Sequence, residues 1–192
     1  MPLSRRSAMT DHLNEVRLRT EDLEHQQLRV LILITAVSDI AGNAKKLDGL
    51  TKLAKLDFIA RYQDLEPLIA NILNTPTVLI QSLPATGITD APMIRYRYGP
   101  WDDQYYPVLG ALVGRGLARY VRGKRGSVGL TPTALGADLV AQLRWDPLWA
   151  SVVDRYESIA DRYGRHTGSA LKDAIYEALP DRMDVPLRTE LQ

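Results

Sequence analysis

Five cations, Arg115, Arg119, Arg122, Lys124 and Arg125, fall in one short stretch, and no acidic residue occurs between Gln104 and Ala137. Guanidinium and ammonium groups gathered in this way suit phosphate oxygens, because each contact neutralises a charge and releases a counterion. The string GKRG within the stretch is a turn former between two alternating segments, so the cations would ride on a hairpin. Arg95, Arg97, Lys52 and Lys55 would extend the patch if the fold brought them near. The plainer alternative is an ordinary solvated hairpin. Nucleic-acid contact is favoured narrowly over it, because the charge lies where a basic hairpin commonly meets a backbone.

Other chemistries lack their parts. His12, His25 and His166 are far apart and none has metal-ligand spacing. There is no cysteine, which excludes disulfides, thiolate sites and a thiol nucleophile. Asp102 and Asp103 are adjacent, so on a helix they point different ways and make no two-carboxylate site. The string ARYVRGKR resembles a phosphate-binding loop only superficially: it lacks the first glycine, and Arg125 stands where Ser or Thr is needed. No catalytic residue, metal or cofactor is therefore expected, and the chain reads as a non-enzyme.

Composition sets the bounds. The chain has 192 residues, 45% of them hydrophobic, and a formal net charge of +1, so any nucleic-acid contact must come from a local patch. The longest apolar run, Val30 to Ile34 with Ala36 and Val37 beyond it, is too short for a bilayer. Arg5 and Arg6 are followed by no apolar stretch, so no secretory signal is read and a cytoplasmic location is expected.

The elements that must position the cations follow from periodicity and punctuation. Residues 1–24 read as an N-terminal extension, helical from Thr10. His25 to Ile40 is apolar nearly all round, which points to a buried central helix ended by Gly42 and Asn43. Leu47, Leu50, Leu53, Ala54, Asp57 and Phe58 fall on one helical stripe, with Lys45, Lys46, Lys52 and Lys55 mostly off it. Asp64 to Leu73 is a further short helix with Pro67 in its first turn. Residues 75–92 are a loop insertion with a short strand at Val78 to Gln81. MIRYRYG is strand-like and broken by Gly99 and Pro100. A helix then starts near Asp102 or Asp103, buries Val108, Leu109, Leu112 and Val113, and closes at Gly116. LARYV and SVGL form the hairpin. Thr131 caps the next helix, whose buried side is Leu135, Leu139, Val140 and Leu143. This order predicts a mostly α (α+β) fold: a winged helix-turn-helix core over 25–145 with additional N- and C-terminal helices, the latter an extension over 146–192.

Base reading fits poorly. It needs long donors such as Arg, Asn or Gln, whereas the helix before the hairpin offers Gly110, Ala111 and Gly114, and Asp102 and Asp103 at its start would repel phosphate. Those small residues suit close protein docking. Trp101, Tyr105 and Tyr106 lie beside them and are more often core than interface, yet Trp101 and Tyr105 are candidate docking residues. In the C-terminal extension nine acidic residues stand against six basic ones. Val152, Tyr156, Ile159 and Tyr163 repeat there at near-heptad spacing. Such a stripe must be covered, either by the chain itself or by a partner, and Tyr156 and Tyr163 join the candidate docking set.

LTKLAKLDFIARY followed by YGPWDDQYYPVLGALVGRGLARYV resembles the winged-helix middle components of bacterial ABC-ATPase three-component systems, the group that includes Lamassu-type antiviral defence. A similar pairing occurs in other small prokaryotic winged-helix families tied to mobile elements. The match covers about residues 45–143. The resemblance implies a non-enzymatic accessory subunit that bridges an SMC-like or Rad50-like ABC ATPase and an effector subunit, with non-specific DNA contact. It carries over no catalytic residue. The alternative is a dimeric winged-helix transcriptional regulator on an operator.

Overall fold

The computed structural model describes residues 23–76 and 92–191. Helix α1 covers residues 23–39. Val30 to Ile34 and Val37 are all fully buried in it, as expected of a helix that is apolar all round. Its buried Thr35 hydroxyl donates to the Leu31 carbonyl at 2.9 Å. Asn43 folds back so that its amide donates to the Val37 carbonyl at 3.0 Å, satisfying one of the last acceptors of the helix. The helix expected from Thr10 and the strand expected at Val78 to Gln81 lie outside the described residues.

Leu47 is not on the following helix. It belongs to a two-residue strand, β1 (Leu47–Asp48), that pairs antiparallel with the hairpin. Gly49, at φ 97°, breaks the extended backbone and lets helix α2 (Leu50–Arg61) begin. Every residue of α2 from Lys52 to Ala60 is buried. The expected solvent face of this helix, with Lys52 and Lys55, is thus overturned, because the C-terminal helices α6 (Ala150–Tyr163) and α7 (Gly168–Ala178) pack on it. The two ammonium groups survive burial by donating to backbone carbonyls, Lys52 to Gly164 and Lys55 to Pro100 at 2.9 Å. The extension over 146–192 is therefore part of the core and no appendage to it.

The short helix α3 (Glu66–Ile72) carries Pro67 in its first turn as expected. Beyond the undescribed segment, β2 (Ile94–Tyr96) and β3 (Gly99–Trp101) form a small hairpin. Gly99 and Pro100 do not break the strand; they form its return. Gly99 holds φ 95°, and a side chain there would press on Lys55 and Tyr176 at 3.2 and 3.3 Å. Helix α4 (Tyr105–Gly114) starts later than Asp102, whose carboxylate instead accepts the Gln104 N–H at 2.9 Å. It buries Tyr105, Val108, Leu109 and Leu112, while Val113 is half-buried.

The hairpin lies where the sequence places it. Strand β4 (Ala118–Arg122) pairs with β5 (Val128–Pro132) across a 3-10 turn (Lys124–Gly126), and the three-stranded sheet runs β1-β5-β4. The cap of the next helix, α5 (Ala134–Leu143), is Thr133 and not Thr131. Thr131 stays in the strand with its hydroxyl donating to the Lys45 carbonyl at 2.8 Å, and Thr133 accepts the Gly136 N–H at 3.1 Å. That two-residue shift turns the helix. Leu135, expected inside, is exposed, while Gly136, Val140 and Leu143 face the core and Leu139 is half-buried. The turn-like helix α8 (Pro180–Met183) completes a fold that is mostly helical with a small antiparallel sheet. No helix among the described residues is long and apolar enough to cross a membrane.

Leu31, Leu53, Phe58, Leu109, Leu112 and Leu130 share this core, with Leu117 and Leu139 packed partly buried against it. Leu112→Ala is expected to cost about 2–5 kcal/mol, because the site is closed on all sides and collapses little. A thermal melt of the variant reads that loss directly.

Candidate nucleic-acid interface

Arg119 and Arg122 stand exposed on β4, an edge strand of the sheet. Lys124 is exposed in the 3-10 turn at the hairpin tip, and Arg125 follows it in that turn. Arg115 is exposed just past α4, where it lies 3.7 Å from Glu24; both side chains are 55% exposed, so the pair is weak.

The acid-free stretch is not acid-free in space. Asp48 reaches across from β1 and accepts the Lys124 N–H at 2.9 Å and the Ser127 hydroxyl at 3.0 Å. It thereby shapes the tip. Gly123 is needed beside it, since a side chain there would collide with Ser127 and with the Asp48 carboxylate.

The patch is extended by other residues than expected. Ala44 and Lys45 take left-handed conformations, at φ 50° and 54°, just before β1. Lys46 then donates to the Arg122 carbonyl at 2.8 Å. Lys45, Lys46, Arg119 and Arg122 line one groove of about 530 Å³ beside the hairpin. Lys52 and Lys55 are buried and drop out. Arg95 is turned inward, donating to the Met183 carbonyl at 2.8 Å with its guanidinium over the Tyr176 ring. Arg97 is exposed over Tyr98, on the β2–β3 turn.

At the start of helix α4 and on its open side the exposed residues are Asp103, Gln104, Tyr106, Pro107 and Gly110, with Gln104 the one side-chain amide among them. Asp102 is not a phosphate-repelling group, because it is buried against Arg61 at 2.8 Å. Asp103 pairs with Arg188 at 2.8 Å on the surface.

The aromatic docking set is corrected in full. Trp101, Tyr105, Tyr156 and Tyr163 are all buried within the chain, so none offers a face to a partner. Trp101 packs edge-on against Tyr105 at 5.2 Å. Tyr105 and Tyr156 each donate to Asp57 at 2.7 Å, and Tyr163 donates to Glu66 at 3.1 Å. Asp57 also faces Arg29 at 3.2 Å and Arg61 at 3.6 Å. Glu66 meets Arg155 at 2.5 Å and Arg162 beside it. Arg155 in turn donates to the Ile59 carbonyl at 3.0 Å, closing the end of α2. One clue to this network is visible in the sequence: an aspartate, Asp57, on an apolar stripe demands a buried cation. The large apolar side chains that reach solvent are elsewhere, foremost Trp145 at 84% and Leu148 at 72% exposure.

Burial works on Lys55 as well. Loss of hydration, with Arg95 and Lys172 nearby, pushes its ammonium down to about 7 from 10.5. Since the unfolded chain keeps that proton up to 10.5, the native state gains stability as pH rises from about 7 toward 10.5. Lys55→Met is expected to flatten that rise in a series of chemical denaturation curves across this pH range. Compared with family models, curated proteins and solved structures, the chain matches none.

Proposed function

We propose that this chain is a non-enzymatic winged-helix accessory subunit that lays a basic wing on a nucleic-acid backbone without reading sequence. The observation that carries the reading is the exposed hairpin bearing Arg119, Arg122 and Lys124 at an edge of a sheet ordered β1-β5-β4. The order helix, short strand, helix, helix, hairpin supports the winged-helix reading, in which α3 and the β2–β3 hairpin are an insertion between the second and third helices. In that reading helix α4 is the recognition helix, and its open side of Gly, Pro and Tyr, with one Gln at its start, is short of donors for base edges. Backbone contact by the wing needs none of them.

The resemblance to middle components of ABC-ATPase systems supplies the proposed setting: a bridge between an SMC-like ATPase and an effector. Purification of the chain from its native host tests it. An ATPase recovered in stoichiometric amount supports the bridge, and recovery of the chain alone removes it.

The DNA contact is tested by fluorescence anisotropy on unrelated duplexes over a salt series. Similar, salt-sensitive affinities are expected for all of them. Removing one cation that neutralises a phosphate reduces the slope of log K against log salt by about 0.9. Arg119→Gln, Arg122→Gln and Lys124→Gln together are therefore expected to flatten it by about 2–3. A single tight operator selected from random sequence would instead favour the dimeric regulator.

A further inference from the structure

A second cleft, about 720 Å³, opens on the other side of the wing tip, against the start of α7. Lys46, Lys52, Lys124, Arg165 and Lys172 line it, and Asp48 is the one carboxylate among its lining residues. The Asp48 oxygens are already engaged by the Lys124 N–H and the Ser127 hydroxyl. Lys52 is buried in the cleft wall, donates to the Gly164 carbonyl, and has no ion pair among the described residues. Loss of hydration holds its ammonium below its ordinary value. The Asp48 charge offsets that loss only in part, and an anion in the cleft would stabilise such a buried cation further.

The backbone adds to the same field. The starts of α2 and α7 both line the cleft, and they lie side by side: a side chain on Gly168 would come within 3.2 Å of the Lys52 backbone nitrogen. No side chain caps α2, and its first turn has no acidic residue. In α7 the Thr167 hydroxyl takes only the Ala170 N–H. The remaining first-turn N–H groups of both helices have no acceptor within their own helix. Tyr98, 52% exposed, lines the cleft too and offers a ring on which a base can stack.

We propose that this cleft holds a phosphorylated nucleotide, its phosphate on Lys52, Arg165, Lys172 and the two helix starts, and its base on Tyr98. The nucleotide is either free or the 5′-phosphorylated end of a nucleic-acid strand; both present the same chemistry. The site uses residues other than the exposed arginines of the wing and stands whether or not the wing meets DNA.

Calorimetric titration of the full chain with ATP, with pyrophosphate, and with an oligonucleotide carrying either a 5′-phosphate or a 5′-hydroxyl tests the proposal. Binding of ATP, or of the 5′-phosphorylated strand in preference to its twin, is expected, with pyrophosphate as competitor. ATP alone identifies a free nucleotide, and the phosphorylated strand alone identifies a strand end. Lys52 is packed in the core, so the decisive variant is Arg165→Gln with Lys172→Gln, at positions that reach solvent. It is expected to keep the melting temperature and weaken binding about tenfold or more. Tyr98→Ala is expected to weaken ATP and spare pyrophosphate. Arg119→Gln with Arg122→Gln is expected to leave ATP and pyrophosphate binding unchanged while reducing duplex affinity, which separates the cleft from the wing. No binding of any probe at millimolar concentration, or equal binding by the Arg165 and Lys172 double variant, overturns the proposal.

Discussion

Asp57→Asn is expected to destabilise the protein by about 3–5 kcal/mol, a large share of the about 5–15 kcal/mol that holds a typical domain folded. The side chain has no solvent exposure, and its two oxygens serve Tyr105 and Tyr156 at 2.7 Å while Arg29 and Arg61 close on them at 3.2 and 3.6 Å. An amide of the same shape keeps the packing but removes the charge that those guanidinium groups compensate. Burial alone would raise the Asp57 carboxyl, but Arg29, Arg61 and the two phenols outweigh it and hold it below its ordinary 3.8. A carboxylate lowered in the native state stabilises it fully above that ordinary value, and the contribution fades as pH falls through the lower native one. The wild-type chain is therefore expected to lose stability on acidification below pH 3.8, and the variant to lose less. Equal acid limbs in urea denaturation would show that the Asp57 charge is not what holds α2 to α1 and α6.

Tyr156→Ala and Tyr163→Ala are each expected to cost about 3–5 kcal/mol in the isolated chain, the range for emptying a large aromatic site. Both rings are fully buried, and each hydroxyl ends on a carboxylate. The phenylalanine variants separate packing from hydrogen bonding. Tyr156→Phe is expected to keep the ring packing and lose the bond to Asp57, about 1.5–3 kcal/mol for a charged acceptor. Thermal melts of the four variants read the series. An alanine variant with the wild-type melting temperature would return the stripe to the surface and revive it as a docking face.

The sequence alone determines what is local. The hairpin over 118–132 follows from a Gly-Lys-Arg-Gly turn between alternating strands. The buried α1 follows from an apolar run with no polar face, and the basic cluster is simply a count of charges along the chain. Cap choice already exceeds what neighbours in sequence decide: Thr131 and Thr133 are equally good caps in isolation, and the pairing of Pro132 with Ala118 selects between them. That choice rotates α5 and puts Leu135 outside.

Only the tertiary structure decides what covers what. Periodicity shows that α2 has an apolar stripe, but not that α6 and α7 would cover its other face, and so it misplaces Lys52 and Lys55. Tyr156 and Tyr163 repeat on one helical face whether that face meets a partner or the chain's own Asp57 and Glu66. The hairpin tip rests on Asp48, and the second cleft joins residues near 50, 98, 124 and 168, stretches that no sequence window contains. The reason is physical. Helix and strand signals come from neighbours a few residues apart, whereas burial and charge compensation depend on which distant surfaces meet. A polar group on a covered face is tolerated only where such a distant partner arrives to satisfy it.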